Sequence, residues 1–439
     1  MPDAVSSGAE RSLVRALGTW TLAASIVNVT VGGGIFRLPA VVAGSLGPAA
    51  PLAYLVCAVA MGLIVLCFAE AGSRVSLTGG PYAYVEVAFG PFVGFLAGVL
   101  LWIVGTFALA AVATVFADSV GSLFAAASGP VPRASFLVAV FAFLAWVNIR
   151  GVRQGTRLNI VATVAKLLPL LLLVVAGLFA VSPDNLAWTA PPRAAEVSRA
   201  SIVLIFAFAG VESALVPSGE VRDTARTVPR AILLAMAGIT VLYLALHLVA
   251  QGVLGASLPV RATPLADAAG IVLGPWGRTL ILVGAAVSVF GYVSGMTLAI
   301  PRALFAFGRD GFLPRRLAAV HPRHHTPYVA IVVQSILVCA LAITGTFERL
   351  AILANLSTLV LYAACCAAAW ELRRRNVQAG GTPFRVPAAG VVPILACAVI
   401  AWLLTSIRAA EWAVVAGVLA AGTLIFLLTR VRRRALSGA

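Results

Sequence analysis

The sequence predicts an all-α membrane protein of twelve transmembrane helices, and three observations predict it. The 439 residues are 61% hydrophobic and only 10% charged, where soluble domains carry about 25% charged residues. The apolar residues fall in runs of membrane length, and the arginines cluster between those runs. A hydrocarbon core about 30 Å thick takes about 20 apolar residues per helix, so twelve crossings use roughly 240 residues and leave only short loops and tails. No room remains for a separate soluble domain.

The first apolar stretch, from about Leu13 to Val42, is too long for a signal peptide and has no small-residue cleavage site after it, so it reads as a retained helix. Spans are expected near Ala16–Ala43, Ala49–Gly72, Pro91–Val120, Ser135–Ile149, Leu158–Val181 and Ala200–Gly219. The second set lies near Val228–Val253, Thr279–Phe307, Tyr328–Thr344, Leu350–Trp370, Val391–Ile407 and Trp412–Leu428. The net charge of +16 would suggest nucleic acid in a soluble protein. Here the bases lie in loops. With a cytoplasmic amino terminus, about 22 of them fall inside and about 8 outside, including Arg150, Arg153 and Arg157, Arg222, Arg226 and Arg230, and Arg373, Arg374 and Arg375. Both termini are therefore expected in the cytoplasm, in a cytoplasmic (inner) membrane, with lipid and not nucleic acid as the large partner. The six cysteines, all in apolar runs without metal or redox spacing, read as small buried or lipid-facing side chains.

Two spans contain what a lipid-facing helix avoids. The first is interrupted by Gly32, Gly33 and Gly34, the sixth by Ala209 and Gly210 with Glu212 and Ser213 following. Three glycines weaken a helix, and the freed backbone groups are tolerated in a membrane only against protein or a water-filled cavity. The two breaks lie five spans apart, in corresponding positions of two halves. That pairing is the sequence pointer to a secondary transporter's binding site.

These residues also carry a resemblance. Val31-Gly-Gly-Gly-Ile-Phe36 resembles the glycine-rich break of the amino acid-polyamine-organocation (APC) superfamily. Gly79-Gly-Pro-Tyr-Ala-Tyr84 with Phe89-Gly-Pro91 is similar to its loop before the third helix. Phe208-Ala-Gly-Val-Glu-Ser213, Gly219-Glu220 and Thr227-Val-Pro-Arg230 resemble its sixth helix and following loop, and Arg309-Asp-Gly-Phe-Leu-Pro314 the end of its eighth. The resemblance implies the LeuT-type fold in one transporter domain spanning residues 1–439. Its two inverted five-helix repeats lie at about 14–182 and 199–375, with two further helices at about 388–432. It implies transport of amino acids or related amines.

A free amino acid presents a carboxylate and an ammonium. The amides of Gly32, Gly33 and Gly34, at the start of the inner half of the first helix, form a positive helix end suited to the carboxylate. Carbonyls at Thr30 and Val31, and from Phe206 through Ala207 and Phe208 to Ala209, are acceptors for the ammonium. A glycine triplet also suits close helix packing, the blander reading. The resemblance implies that Phe206 and Phe208 are gates or pocket walls. Glu212, an acidic residue deep in a span, is costly there and so faces the cavity. It contacts a substrate cation, responds to protons, or stabilises the broken helix.

Lys166 is the one lysine of an arginine-rich chain. The resemblance implies that it occupies the place of a sodium ion in sodium-coupled relatives, between the first, fifth and eighth helices. There it would tie carbonyls near Val29 or Thr30 to polar groups of the eighth helix, Ser294 among them. A buried lysine can exchange its proton where an arginine cannot; the competing reading is a permanently protonated brace. Met296 stands where some antiporter relatives carry a tryptophan gate, which speaks against that gate and against a guanidinium-type substrate. His321, His324 and His325 read as a solvated basic loop rather than a metal site, and His247 as a hydrogen-bonded interior residue. The expected function is proton-coupled amino acid symport by alternating access, without a cofactor. The alternatives are a proton-independent exchanger and, more remotely, a non-transporting sensor. An enzyme is not expected, because no convergent nucleophile, base or metal set stands out.

Overall fold

In the computed structural model, residues 15–123, 129–188, 191–261, 263–345, 347–378, 381–388, 390–405 and 409–437 are described. They are helical with short connections, and among them strand geometry is confined to one isolated parallel bridge, Leu17 with Val221. Among the described residues, six helices are long and apolar enough to cross a membrane: Leu38–Arg74, Pro91–Thr114, Pro130–Ile149, Ile160–Leu178, Thr224–Val260 and Pro275–Arg309. Shorter apolar helices, Tyr328–Thr344 and Val391–Leu404 among them, accompany these.

The first expected span is two helices, α1 (Thr19–Thr30) and α2 (Leu38–Leu46), joined through a 3-10 turn over Gly34–Phe36. Then come α3 (Ala50–Arg74), α4 (Pro81–Phe89), α5 (Pro91–Leu123), α6 (Pro130–Ile149) and α7 (Val152–Leu178). The sixth expected span is likewise split, into α8 (Ala194–Phe208) and the single turn α9 (Val211–Ala214). The rest are α10 (Thr224–Leu254), α11 (Pro264–Leu273), α12 (Pro275–Ala299), α13 (Pro301–Arg309), α14 (Tyr328–Thr344), α15 (Phe347–Arg374), α16 (Val391–Leu404) and α17 (Ala409–Ser437). Helices α4 and α11 lie where the hydropathy reading placed loops. Each is about ten residues long with proline in its first turn, too short for a crossing and so invisible to a search for apolar runs of membrane length.

Helices α1, α3, α10 and α15 share a continuous core that includes Leu22, Ile26, Ile64, Phe68, Ile232, Leu246 and Leu361. A second cluster, with Leu109, Phe141 and Val293, joins α5, α6 and α12. Apolar side chains are also exposed on outward faces, such as Leu168 and Val175 on α7, Ile336 on α14 and Leu428 on α17. A soluble surface avoids large patches of this kind, and lipid tails suit them.

Candidate functional site

Both breaks are built by glycine. Helix α1 ends at Thr30; the Gly32 amide donates back to the Thr30 carbonyl at 2.8 Å. Among the described residues, the amides of Gly33 and Gly34 meet no hydrogen-bond acceptor. Helix α8 ends at Phe208, and Gly210 turns the chain with φ of 118°, a conformation open to glycine but strained for other residues. A Cβ on Gly210 would lie 3.0 Å from the Val29 side chain and 3.1 Å from its carbonyl oxygen, so the two breaks touch through backbone.

Between them lies a cavity of about 340 Å³, within the small-ligand range of about 300–1,000 Å³. Its floor is Thr30, Gly32, Gly33 and Gly34 with Ala207, Ala209, Gly210 and Glu212. The remaining wall comes from α5 (Val104, Ala108, Val112), α12 (Val289, Tyr292, Met296) and α15 (Ala354, Thr358), and the exposed Arg37 stands among the lining residues. The Thr30 hydroxyl is buried and has no partner among the described residues. A polar atom in that condition beside two free amides is chemically incomplete, because buried polar groups are normally paired.

Several side chains hold the breaks in place. The Glu212 carboxylate accepts the Gly210 amide at 2.9 and 3.0 Å and the Tyr362 hydroxyl at 2.6 Å. Of the three readings of Glu212, this geometry matches stabilisation of the broken helix, by capping the start of α9. The Tyr243 hydroxyl lies 3.2 Å from the Thr30 carbonyl and 3.1 Å from that of Ala207, bracketing both broken helices at once. Lys166 is fully buried, and its Nζ donates to the carbonyls of Asn28 and Val31, both at 2.7 Å. Ser288 of α12 donates to the same Val31 carbonyl at 2.9 Å. Asn28 Nδ2 donates to the Gly291 carbonyl at 2.6 Å. The end of α1 is thereby tied to α7 and α12 together.

The match to the family described as amino acid permease runs over residues 17–427. The chain belongs to that family. As a permease of the APC superfamily it has relatives along nearly its whole length. It is 30% identical to the methylthioribose transporter of Bacillus subtilis, over 95% of this chain and 94% of the relative. It is 28% identical to the serine/threonine exchanger SteT of the same organism, over 89% and 90%. With the branched-chain amino acid permease BcaP, also of B. subtilis, the identity is 27% over 90% and 88%.

Of the residues singled out from the permease sequence, Thr30, Gly32, Gly33, Gly34, Ala207, Ala209, Glu212 and Met296 line the cavity. Val31 does not: both lone pairs of its carbonyl are engaged by Lys166 and Ser288, which leaves no acceptor for an ammonium. Phe208 is fully buried and packs edge-on against Tyr243, with ring centroids 5.2 Å apart, so it backs the break rather than walling the cavity. The side chain of Phe206 lies outside the described residues. The serine joined to Lys166 through one carbonyl is Ser288; Ser294 is buried further along α12. The glycine amides lead into the second half of the first span, which is the outer half when the amino terminus is cytoplasmic, not the inner half. His247 is interior, as expected, but among the described residues neither ring nitrogen has a hydrogen-bond partner. Arg37, Tyr292, Tyr243 and Tyr362 carried no sequence signal, because it is helix packing that brings the first two to the cavity and the hydroxyls of the other two to their partners.

Proposed function

We propose that this permease carries a small neutral amino acid across the cytoplasmic membrane by alternating access, in symport with protons. The supporting observation is the cavity between two broken helices, where the Gly33 and Gly34 amides and the Thr30 hydroxyl are unpaired. The amides suit a carboxylate. The Thr30 carbonyl already accepts the Gly32 amide and the Tyr243 hydroxyl, whereas that of Ala207, with one lone pair directed to Tyr243, retains a second for the ammonium. The opposite wall, with Val104, Ala108, Val112 and Ala354, is apolar and disfavours a charged substrate side chain. The serine/threonine and branched-chain names of two relatives agree with a neutral cargo. The architecture in this reading is twelve spans, two inverted five-helix repeats plus two further helices, with both termini cytoplasmic.

Lys166 supplies the proton coupling. As an ammonium it makes charge-assisted bonds to α1, stronger than those of a neutral amine, and so holds α1 against α7. Losing the proton loosens α1, and a ligand moves the protein between states only by binding them unequally. The test is uptake into liposomes containing the purified protein, with and without an inward proton gradient. The parent is expected to concentrate neutral amino acids when the gradient is imposed, and Lys166→Ala to bind substrate without gradient-driven uptake. If Lys166→Ala keeps the parent's proton dependence, the coupling role fails. If the parent ignores the gradient but responds to internal amino acid, the protein is an exchanger.

A second cargo is favoured by the relative named a methylthioribose transporter, since an apolar wall also accepts a methylthio group. Competition of methylthioribose against labelled neutral amino acids in the same liposomes separates the two.

A further inference from the structure

Helix α10 carries Tyr243, His247 and Gln251 four residues apart, which places them on one face, one turn after another. All three are buried, at 0%, 0% and 3% exposure. The Tyr243 hydroxyl sits on the carbonyls of both broken helices. At the other end, Gln251 Nε2 donates to the Asn185 carbonyl at 3.1 Å, in the short 3-10 turn Pro183–Leu186 that follows α7. Between these ends the partners run out. Among the described residues, neither nitrogen of His247, nor the Tyr54 hydroxyl of α3, nor Gln251 Oε1 meets a hydrogen-bond partner. The rings of His247 and Tyr54 lie against each other, with centroids 4.8 Å apart and planes at 38°, and the Tyr54 and Tyr243 phenols are electrostatic neighbours. A neutral imidazole offers one donor and one acceptor. A dry interface would leave both orphaned beside two orphaned oxygens, a density that native interiors avoid. Ordered water is what satisfies such groups.

We propose that Tyr54, His247 and Gln251 hold a file of ordered water from the Gln251 end of α10 to Tyr243, and that His247 passes protons along it to the broken helices. This is a second polar route, separate from the substrate cavity. The relay rests on the proton-symport reading; the water file does not. In the relay, water delivers a proton to the free ring nitrogen and the opposite nitrogen gives its own to the next water, one in and one out. Tyr54, with Cys57 a turn beyond it, faces α10 from α3. Between Thr19 and Thr30, α1 has no titratable residue. Helix α7 meets α10 on the opposite face, at Gly177 against Val249, between His247 and Gln251 in the chain. Asp267 of α11 is held by Thr263 and Arg278, and Asp184 on the short turn is exposed.

Hydroxyl-radical footprinting of the full chain in liposomes tests the water file, because radicals generated from internal water modify the side chains bonded to it. Modification of His247 and Tyr54 is expected at a rate near that of the exposed Trp20 and well above that of the buried Phe68. A rate for both at the Phe68 level overturns the file. His247→Gln tests the relay, with substrate counterflow and proton uptake measured separately. Counterflow near the parental rate with loss of acid-stimulated uptake is expected, and retained acid stimulation overturns the relay alone. A parent that takes up no protons overturns the relay together with the symport reading, while footprinting still decides the file. Should His247→Gln fail to fold, Tyr54→Phe, which removes only a hydroxyl, is expected to lower His247 modification several-fold; an unchanged rate overturns the file.

Discussion

Gly210 shows how much a single residue carries. Its φ of 118° and the 3.0–3.1 Å approach of Val29 make any Cβ there both strained and crowded. A non-glycine residue in strained backbone costs about 1–3 kcal/mol. Gly210→Ala is accordingly expected to lower the melting temperature and abolish uptake, read by thermal unfolding and liposome transport; normal uptake would separate the break from function. A different residue-scale effect lies outside the membrane-length helices, on α4. Glu86 has one buried carboxylate oxygen without a partner among the described residues. Burial first, then the Asp310 carboxylate, push its carboxyl up from 4.5 to about 7. The folded state thus keeps a proton that the unfolded chain releases above pH 4.5. This favours folding at acid pH, and the benefit is lost as pH rises towards about 7. Glu86→Gln is expected to flatten the pH dependence of thermal stability across that window, and an unchanged profile would refute the assignment. At this scale the sequence was legible wherever a residue broke the rules of a lipid-facing helix. The glycine run, Glu212 and the lone Lys166 all announced themselves in that way. Tyr243 and Ser288 did not, since a hydroxyl in an apolar span is cheap and unremarked. Phe208 was misplaced because an aromatic beside a break backs it as readily as it gates it.

Among elements, the approach of α12 to α1 rests on a row of small residues, Ser288, Gly291 and Gly295, at helical spacing, as in membrane interfaces that bring backbones close. A Cβ on Gly291 would meet Asn28 Oδ1 at 2.5 Å and Lys166 Cε at 3.0 Å. Gly291→Ala is expected to destabilise by about 1–3 kcal/mol through overpacking and to displace Lys166 from α1. By contrast Gly238, in the middle of α10, has open space where a Cβ would stand, with no atom within 4 Å. Gly238→Ala is therefore expected to be neutral or stabilising, by up to about 1 kcal/mol of helix propensity. Thermal melts of the two variants side by side check the contrast, and equal shifts would dismiss it. The long apolar elements and both breaks were readable from hydropathy and glycine placement. The wall of the cavity was not: Val104, Ala108, Ala354 and Thr358 are ordinary residues of ordinary helices, and only the packing of α5 and α15 over the breaks turns them inward.

Across the whole molecule, the chain ahead of α1 is stitched to the segment after α9. The Ala16 and Leu17 amides both donate to the Glu220 carbonyl at 2.9 Å, and the Arg222 amide donates to that of Leu17 at 2.9 Å. The Glu220 side chain, itself fully buried, is paired with Arg302 at 3.0 Å. Breaking a buried pair by removing one partner costs about 3–5 kcal/mol, largely from the charge left behind. In the orientation proposed above, this stitching closes the cytoplasmic end, while the cavity on the other side of the breaks reaches the exposed Arg37. In that proposed orientation the two observations describe one outward-facing arrangement, and they predict how to bias it. Leu17→Pro removes a donor to Glu220 and restrains Ala16 to extended backbone, weakening the closure without touching the cavity. With the six native cysteines replaced, Ala108→Cys on the cavity wall reports access to small membrane-impermeant thiol reagents. Labelling from outside is expected to be fast in the parental background and slower with Leu17→Pro, while labelling from inside rises. Rates unchanged on both sides would mean that the stitch at Leu17 and Glu220 does not hold the inner end shut, and that closure lies with the Arg302 pair.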